Sequence, residues 1–108
     1  MRRTVLIAAA LVMAGAGTAW AAGQQLGQPL APRSPEKVYA STCGYCHGTN
    51  VGPIILGRHL PAVTVVGMVR EGRNAMPAFR PTEISNGELE ALSRWVEASA
   101  ANPQEKGQ

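Results

Sequence analysis

The sequence predicts an all-α fold of three to four short helices. Three observations lead to this class: two helix starts carry capping residues, a third apolar segment is bounded by proline and glycine, and only 5% of the residues are aromatic. Three short helices joined by long loops bury little surface, and a domain of this size is marginally stable without further help. We therefore expect that something other than side chains fills part of the core.

The amino-terminal segment has the pattern of a secretory signal peptide. Arg2 and Arg3 precede the apolar run Val5–Met13, and Ala19–Ala21 supplies small residues for cleavage. An uncleaved anchor is the alternative, but the apolar stretch is short for a bilayer span. We expect residues 1–21 to be removed and the remaining protein to lie in the periplasm.

Charge excludes one large class of partners. Loss of the signal removes two arginines and no acidic residue, so the formal charge of +3 falls to +1. The remaining basic residues are scattered singly, which does not fit a nucleic-acid-binding patch. Residues 22–33 are rich in Gln, Gly and Pro, and we expect a flexible lead-in.

The first helix is predicted by Ser34 as N-cap and Pro35 at the first helical position. It is expected to run from Glu36 to about Thr42 and to lead directly into Cys43. Residues 48–61 follow as a loop rich in glycine and proline.

The second helix is predicted over residues 62–71, although its valines also favour a strand. Pro61 in front of it, Arg70 near its end and Gly72 just beyond it favour the helix. An irregular stretch, residues 73–81, follows and contains Met76-Pro77.

The last helix has the clearest boundary. Ser85 and Glu88 form a capping box, while Ile84 and Leu89 occupy the positions of a hydrophobic staple. Apolar residues then recur at helical spacing: Leu89, Leu92 and Val96, with Trp95 beside them. We expect one domain over residues 34–99 and a frayed tail over residues 100–108.

The two cysteines of the chain form the pattern Cys43-Gly-Tyr-Cys46-His47. A thioredoxin-like dithiol would need a βαβ context, which is missing. A zinc site would need four ligands, and the motif would have to be completed by the distant His59. Cys46 and His47 are also adjacent, so both could reach one tetrahedral ion only with difficulty. C-x-x-C-H is the attachment pattern of c-type haem, with both thiols bonded to the porphyrin and His47 placed under the iron.

The second axial ligand is predicted to be Met76. Methionine with histidine raises the reduction potential of haem iron, and Met76 precedes a proline that favours extended backbone. Met68 lies in the predicted second helix, where methionine is more often a core residue. His59 would give bis-histidine iron, but it follows His47 by only 12 residues and is more simply an exposed loop residue.

Two further residues are predicted near the haem. A ligating histidine usually donates its other N–H to a carbonyl, and Pro53 is placed to accept it. Arg58 is a candidate partner for a haem propionate. The other arginines of the domain read most simply as surface charges: Arg70, Arg73 and Arg80.

These residues resemble a class I, mono-haem cytochrome c. The resemblance implies a small all-α wrapping of one covalent haem and a contact between Tyr39 and Trp95. More narrowly, the sequence resembles cytochrome subunits of p-cresol methylhydroxylase-type (4-cresol dehydrogenase) flavocytochromes through three stretches: CGYCHG, VGPIILGR and GRNAMPAFRPTEI.

With both axial positions filled, no site would be open to oxygen or a substrate, so we expect an electron carrier rather than an enzyme. A flavoprotein dehydrogenase, acting on a phenolic or other aromatic substrate, would be the electron donor, and an oxidase or another cytochrome the acceptor. A haem-based sensor or a small peroxidase with a labile Met76 is the alternative, and a haem-free thiol protein is a third reading.

Overall fold

The computed structural model describes residue 23 and residues 26–107, so the predicted signal segment lies outside the described part. The regular elements are helical throughout those residues: α1 (Pro35–Val38), a π-helical segment (Tyr39–Cys43), α2 (Gly44–His47), α3 (Ala62–Glu71) and α4 (Asn86–Ala98). This confirms the all-α class. Within the described residues, none of the helices combines the length and the apolar character that crossing a membrane requires.

The first helical region differs from the prediction at its carboxyl end. Ser34 caps α1 as expected, with its side chain accepting from the Lys37 N–H. The chain then widens into a π-helical turn, in which the Gly44 N–H donates to the Tyr39 carbonyl, and α2 continues as far as His47. The cysteine motif therefore lies within helical backbone rather than after it. π-Helical turns are rare in proteins overall, but those that occur often lie at functional sites.

Helix α3 has the predicted bounds, and its end depends on a glycine. Gly72 has φ +70°, and its N–H donates to the Met68 carbonyl at 2.8 Å. A Cβ at this position would lie 2.8 Å from the Met76 carbonyl oxygen and 2.8 Å from the Ala78 nitrogen. Gly72 therefore both ends the helix and lets the segment around Met76 pass close beneath it.

Helix α4 begins with the predicted capping box, in which Ser85 and Glu88 each accept from the other's backbone N–H. Its apolar face packs against α1 and α3. The buried core consists of Val38, Tyr39, Leu56, Val69, Ile84, Leu89, Leu92 and Val96. The rings of Tyr39 and Trp95 lie 5.4 Å apart at 51°, so the predicted contact between the first and last helices is present.

Residues 100–107 follow α4 and make contacts with distant parts of the chain, which the expectation of a frayed tail over residues 100–108 did not include. The Lys106 N–H donates to the Gly48 carbonyl at 3.1 Å, and the Lys106 carbonyl accepts from the Asn50 N–H. Glu105 accepts from the Tyr39 hydroxyl at 2.7 Å. Residues 100–107, called the tail below, therefore pack on the haem-motif region through contacts between residues remote in sequence.

The end of the lead-in is also fixed by a remote contact. Arg33 donates from its backbone and from Nε to the Glu88 carboxylate, each at 2.9 Å, and from Nη2 to the Glu83 carbonyl at 2.8 Å. These bonds hold the pKa of Glu88 well below its usual range. Arg33 thus joins the chain before α1 to the first turn of α4.

Candidate haem site

Two adjoining cavities lie between the cysteine motif, α3 and the segment around Met76. Their volumes are about 450 and 300 Å³, and they share much of their lining. Apart from the motif residues, the walls are mainly aliphatic side chains from the loop, α3 and α4: Ile55, Leu60, Val65, Val69, Leu92 and Val96. A mainly apolar cleft with a few converging polar groups is the usual form of a cofactor site.

His47 is oriented by its neighbours in a way that suits a metal ligand. Its Nδ1 lies 2.7 Å from the Pro53 carbonyl oxygen. Because a carbonyl can only accept, Nδ1 carries the proton and Nε2 keeps its lone pair. The loop reaches the imidazole because Gly52 has no side chain: a Cβ there would lie 3.2 Å from Nδ1. The contact predicted between His47 and Pro53 is present.

The two cysteines lie on the helical face that also carries His47. Residues three and four apart on a helix are neighbours, and Cys43, Cys46 and His47 have that spacing. Burial raises the pKa of the Cys43 thiol to about 11. Reactive dithiols need a lowered pKa, so this environment disfavours a thiol–disulfide catalyst.

Met76 shares a cavity with the two cysteines and the histidine of the motif. The smaller cavity is lined by Cys43, Cys46, His47 and Met76, whereas Met68 lines only the larger one, which Cys46 does not reach. Met76 closes a tight turn, in which it exchanges backbone hydrogen bonds with Arg73 at 2.9 and 3.0 Å. The geometry favours Met76 over Met68, and the ligand assignment stays a prediction.

Two sequence candidates lie apart from these cavities. Arg58 is exposed, does not line either cavity, and donates to the Ile54 carbonyl at 3.4 Å. Its pairing with a propionate therefore has no support from the geometry. His59 is also exposed, and its Nδ1 donates to the Glu97 carbonyl at 3.3 Å, near the end of α4. It does not line either cavity.

Sequence reasoning missed two arginines as parts of the site's surroundings. Arg73 lines both cavities, and it is the arginine nearest to Met76 in the sequence. Arg70 is half-buried and bonds three acceptors at the carboxyl side of Met76. The only sequence signal for this role was their nearness to Met76, which Arg73 precedes by three residues and Arg70 by six.

The residues present fit a covalent haem. Two thiols, an imidazole with Nε2 free and a thioether surround one apolar cleft, which is the donor set of a c-type haem with His/Met ligation. Cys43 and Cys46 would hold the porphyrin, and His47 and Met76 would bind the iron. When bound, haem iron supplies a one-electron couple between its ferric and ferrous states.

The sequence comparisons agree with this donor set. The family model described as cytochrome C oxidase, cbb3-type, subunit III matches residues 30–96. The cytochrome c subunit of 4-cresol dehydrogenase [hydroxylating] from Pseudomonas putida is 35% identical over 75 residues. The match covers 65% of this chain and 66% of that relative, so about a third of the relative has no aligned counterpart.

The structural comparisons give the same fold. A crystal structure of p-cresol methylhydroxylase with substrate bound matches with a TM-score of 0.57 and 33% identity, over 63% of this chain and 95% of that one. The structure of an OmcF H47I mutant matches at 21% identity with a TM-score of 0.51, over 66% of this chain and all of that one. At that identity the second match supports the fold alone.

The matched region contains the entire donor set and all four helices except the last two residues of α4. The family and the similar cytochrome subunits imply covalent haem c and an electron-transfer role rather than a catalytic one. The chain belongs to the cytochrome c family, in its cbb3-type domain group.

Proposed function

We propose that this cytochrome is a periplasmic electron carrier that accepts electrons from a flavoprotein dehydrogenase. The donor oxidises a phenolic or other aromatic substrate, and the acceptor is an oxidase or another cytochrome of the respiratory chain. The likeness to the cytochrome subunit of 4-cresol dehydrogenase carries the proposal. Residues 1–21, with their signal-peptide pattern, support the periplasmic location.

The donor set supports electron transfer rather than substrate chemistry. His47 is held by Pro53, and Met76 is held in its turn, so the two residues that would bind the iron are both fixed by hydrogen bonds. With His47 and Met76 both bound, haem iron would supply its one-electron couple with no position open to an outside ligand. The mainly aliphatic lining would give a bound haem a surrounding of low polarity, which limits the reorganisation that accompanies a change of charge.

An uncharged surface at the edge of the cleft is the proposed docking site. It consists of Gly44, Tyr45 and Ala75–Ala78, called the docking patch below. Tyr45 is 71% exposed, and Ala75, Pro77 and Ala78 are exposed. Exposed aromatic side chains are enriched at the cores of protein interfaces. Weak net charge after signal removal fits docking by shape and apolar contact rather than long-range steering.

Reconstitution with a defined donor tests the proposal. The full chain is produced in a bacterium that matures c-type cytochromes, recovered from the periplasm, and mixed with the purified flavoprotein subunit of 4-cresol dehydrogenase and 4-cresol. Reduction is followed by the ferrous haem bands. A colourless periplasmic product would overturn the haem assignment. Failure of this donor together with rapid carbon monoxide binding would favour the sensor or peroxidase alternative.

A matched pair of variants tests the docking patch. Tyr45→Ser removes the exposed aromatic, and Val63→Ser alters an equally exposed apolar residue of α3 that does not line the cavities. We expect the first variant to weaken reduction by the flavoprotein about tenfold, and the second to leave it unchanged. Equal behaviour of the two variants would contradict docking at this surface.

A further inference from the structure

Arg70 joins three parts of the fold at the side of the cleft that carries Met76. Its Nη1 donates to the Phe79 carbonyl at 3.0 Å. Its Nη2 donates to the Ile84 carbonyl at 3.0 Å and to Asn86 Oδ1 at 2.8 Å. One side chain in the last turn of α3 therefore holds the segment after Met76 and the first residue of α4.

All three acceptors of Arg70 are neutral. Within residues 26–107, the two ion pairs are Arg33–Glu88 and Arg94–Glu90, so no described carboxylate lies within ion-pair distance of Arg70. Hydrogen bonds to a charged donor are stronger than neutral ones. The planar guanidinium also fixes the directions of its bonds, which a lysine ammonium does not.

The segment from Met76 to Phe79 depends on few other contacts. It begins at the Arg73–Met76 turn, and Pro77 has no N–H to donate. It ends where the Phe79 N–H donates to the Val69 carbonyl at 2.8 Å, beside the Arg70 bond to the same residue. Hydrogen bonds at Arg73, three residues before Met76, and at Phe79, three residues after it, thus hold the chain on both sides of Met76.

We propose that Arg70 is a positioning residue that keeps the Met76 thioether in the cleft. Without the guanidinium, the Phe79 and Ile84 carbonyls lose their donors, and the far anchor of the segment depends on a single backbone bond. Met76 then leaves the cleft more often, and the sixth position opens to outside ligands. Arg70 thereby keeps this protein an electron carrier rather than a ligand-binding haem protein. This inference rests on Met76 as the ligand, which the test checks separately.

The test compares four variants of the matured holoprotein. Arg70→Gln removes the anchor, and Asn86→Ala removes one of its three acceptors as a milder change. Arg94→Gln is the control, because it also removes one positive charge, from an exposed i,i+4 pair on α4. Met76→Ala marks the signal of a fully open site. Carbon monoxide affinity of the ferrous form and the weak red absorption band of ferric His/Met iron are measured, with far-UV circular dichroism to check folding.

We expect Arg70→Gln to raise carbon monoxide affinity about tenfold, since apparent affinity scales with the fraction of open molecules, and to weaken the red band. Asn86→Ala shifts both signals less, in the same direction, and provides the test if Arg70→Gln does not fold. Arg94→Gln leaves both unchanged. The role of Arg70 would be overturned if folded Arg70→Gln or Asn86→Ala had the same carbon monoxide affinity and red band as Arg94→Gln. This conclusion requires that Met76→Ala does open the site. If Met76→Ala changed neither signal, both the ligand assignment and this inference would be wrong. The electron-carrier function would still be tested separately, by reduction with the flavoprotein.

Discussion

Replacement of Gly72 by alanine tests whether the end of α3 sets the position of Met76. Gly72 has φ +70°, a conformation that costs an L-residue roughly 1–3 kcal/mol. The added Cβ would also lie 2.8 Å from the Met76 carbonyl oxygen and 3.0 Å from the Pro77 carbonyl carbon. These are backbone atoms, which cannot rotate away, so overpacking adds roughly 1–3 kcal/mol. We expect Gly72→Ala to lower the free energy of unfolding by about 2–6 kcal/mol.

Gly87→Ala is the matched control for this measurement. Gly87 lies in the first turn of α4 and has nothing within 4 Å of an added Cβ. Alanine there gains up to roughly 0.5–1 kcal/mol from helix propensity. Urea denaturation of both holoproteins, followed by far-UV circular dichroism, gives the two free energies. The red absorption band shows whether the Met76 segment has moved. Equal stability and equal spectra for the two variants would refute the reasoning.

The remaining predictions concern contacts away from the iron. Glu88→Gln weakens the pairing with Arg33. Because the pKa of Glu88 is lowered in the folded state, its carboxylate stabilises the fold at neutral pH. That stabilisation is lost as the pH falls below about 4.5. Denaturation at several pH values should therefore show a flatter acid limb in this variant. Tyr39→Phe removes the donor to Glu105, whose Oε2 is already buried without a partner, and should cost roughly 1–3 kcal/mol in urea unfolding. A neutral result would show that water satisfies the carboxylate. His59→Ala should leave the reduction potential unchanged in voltammetry, and a large shift would support bis-histidine iron.

Local signals in the sequence were sufficient for the elements whose boundaries depend on neighbouring residues. The capping box of Ser85 and Glu88 places the start of α4 correctly, and Pro61 and Gly72 resolve the ambiguity of the valine-rich α3. The motif around Cys43 indicates haem for the same reason, since attachment needs a fixed local spacing. In each case the determining contacts span only a few residues.

Features that depend on remote contacts were not predictable. The π-helical turn at Tyr39–Cys43 requires a hydrogen-bond pattern that no residue type in that segment specifies. The bonds of Arg70 and Arg33 cross between segments. The sequence therefore predicted a surface charge at Arg70 and a flexible lead-in at Arg33. The tail has no periodic pattern, and its order comes from Tyr39 and from the loop beside His47.

The tail also has a consequence for the order in which the protein assembles. Lys106 pairs with Gly48, and Glu105 with Tyr39, which lies 66 residues earlier in the chain. Contacts between residues this far apart in sequence carry a loop-closure cost that contacts within a helix do not, so we expect these pairings to form after the end helices. Until they form, the tail does not cover the Gly48 end of the helix that carries both thiols, so this side of the attachment motif is more accessible in that interval.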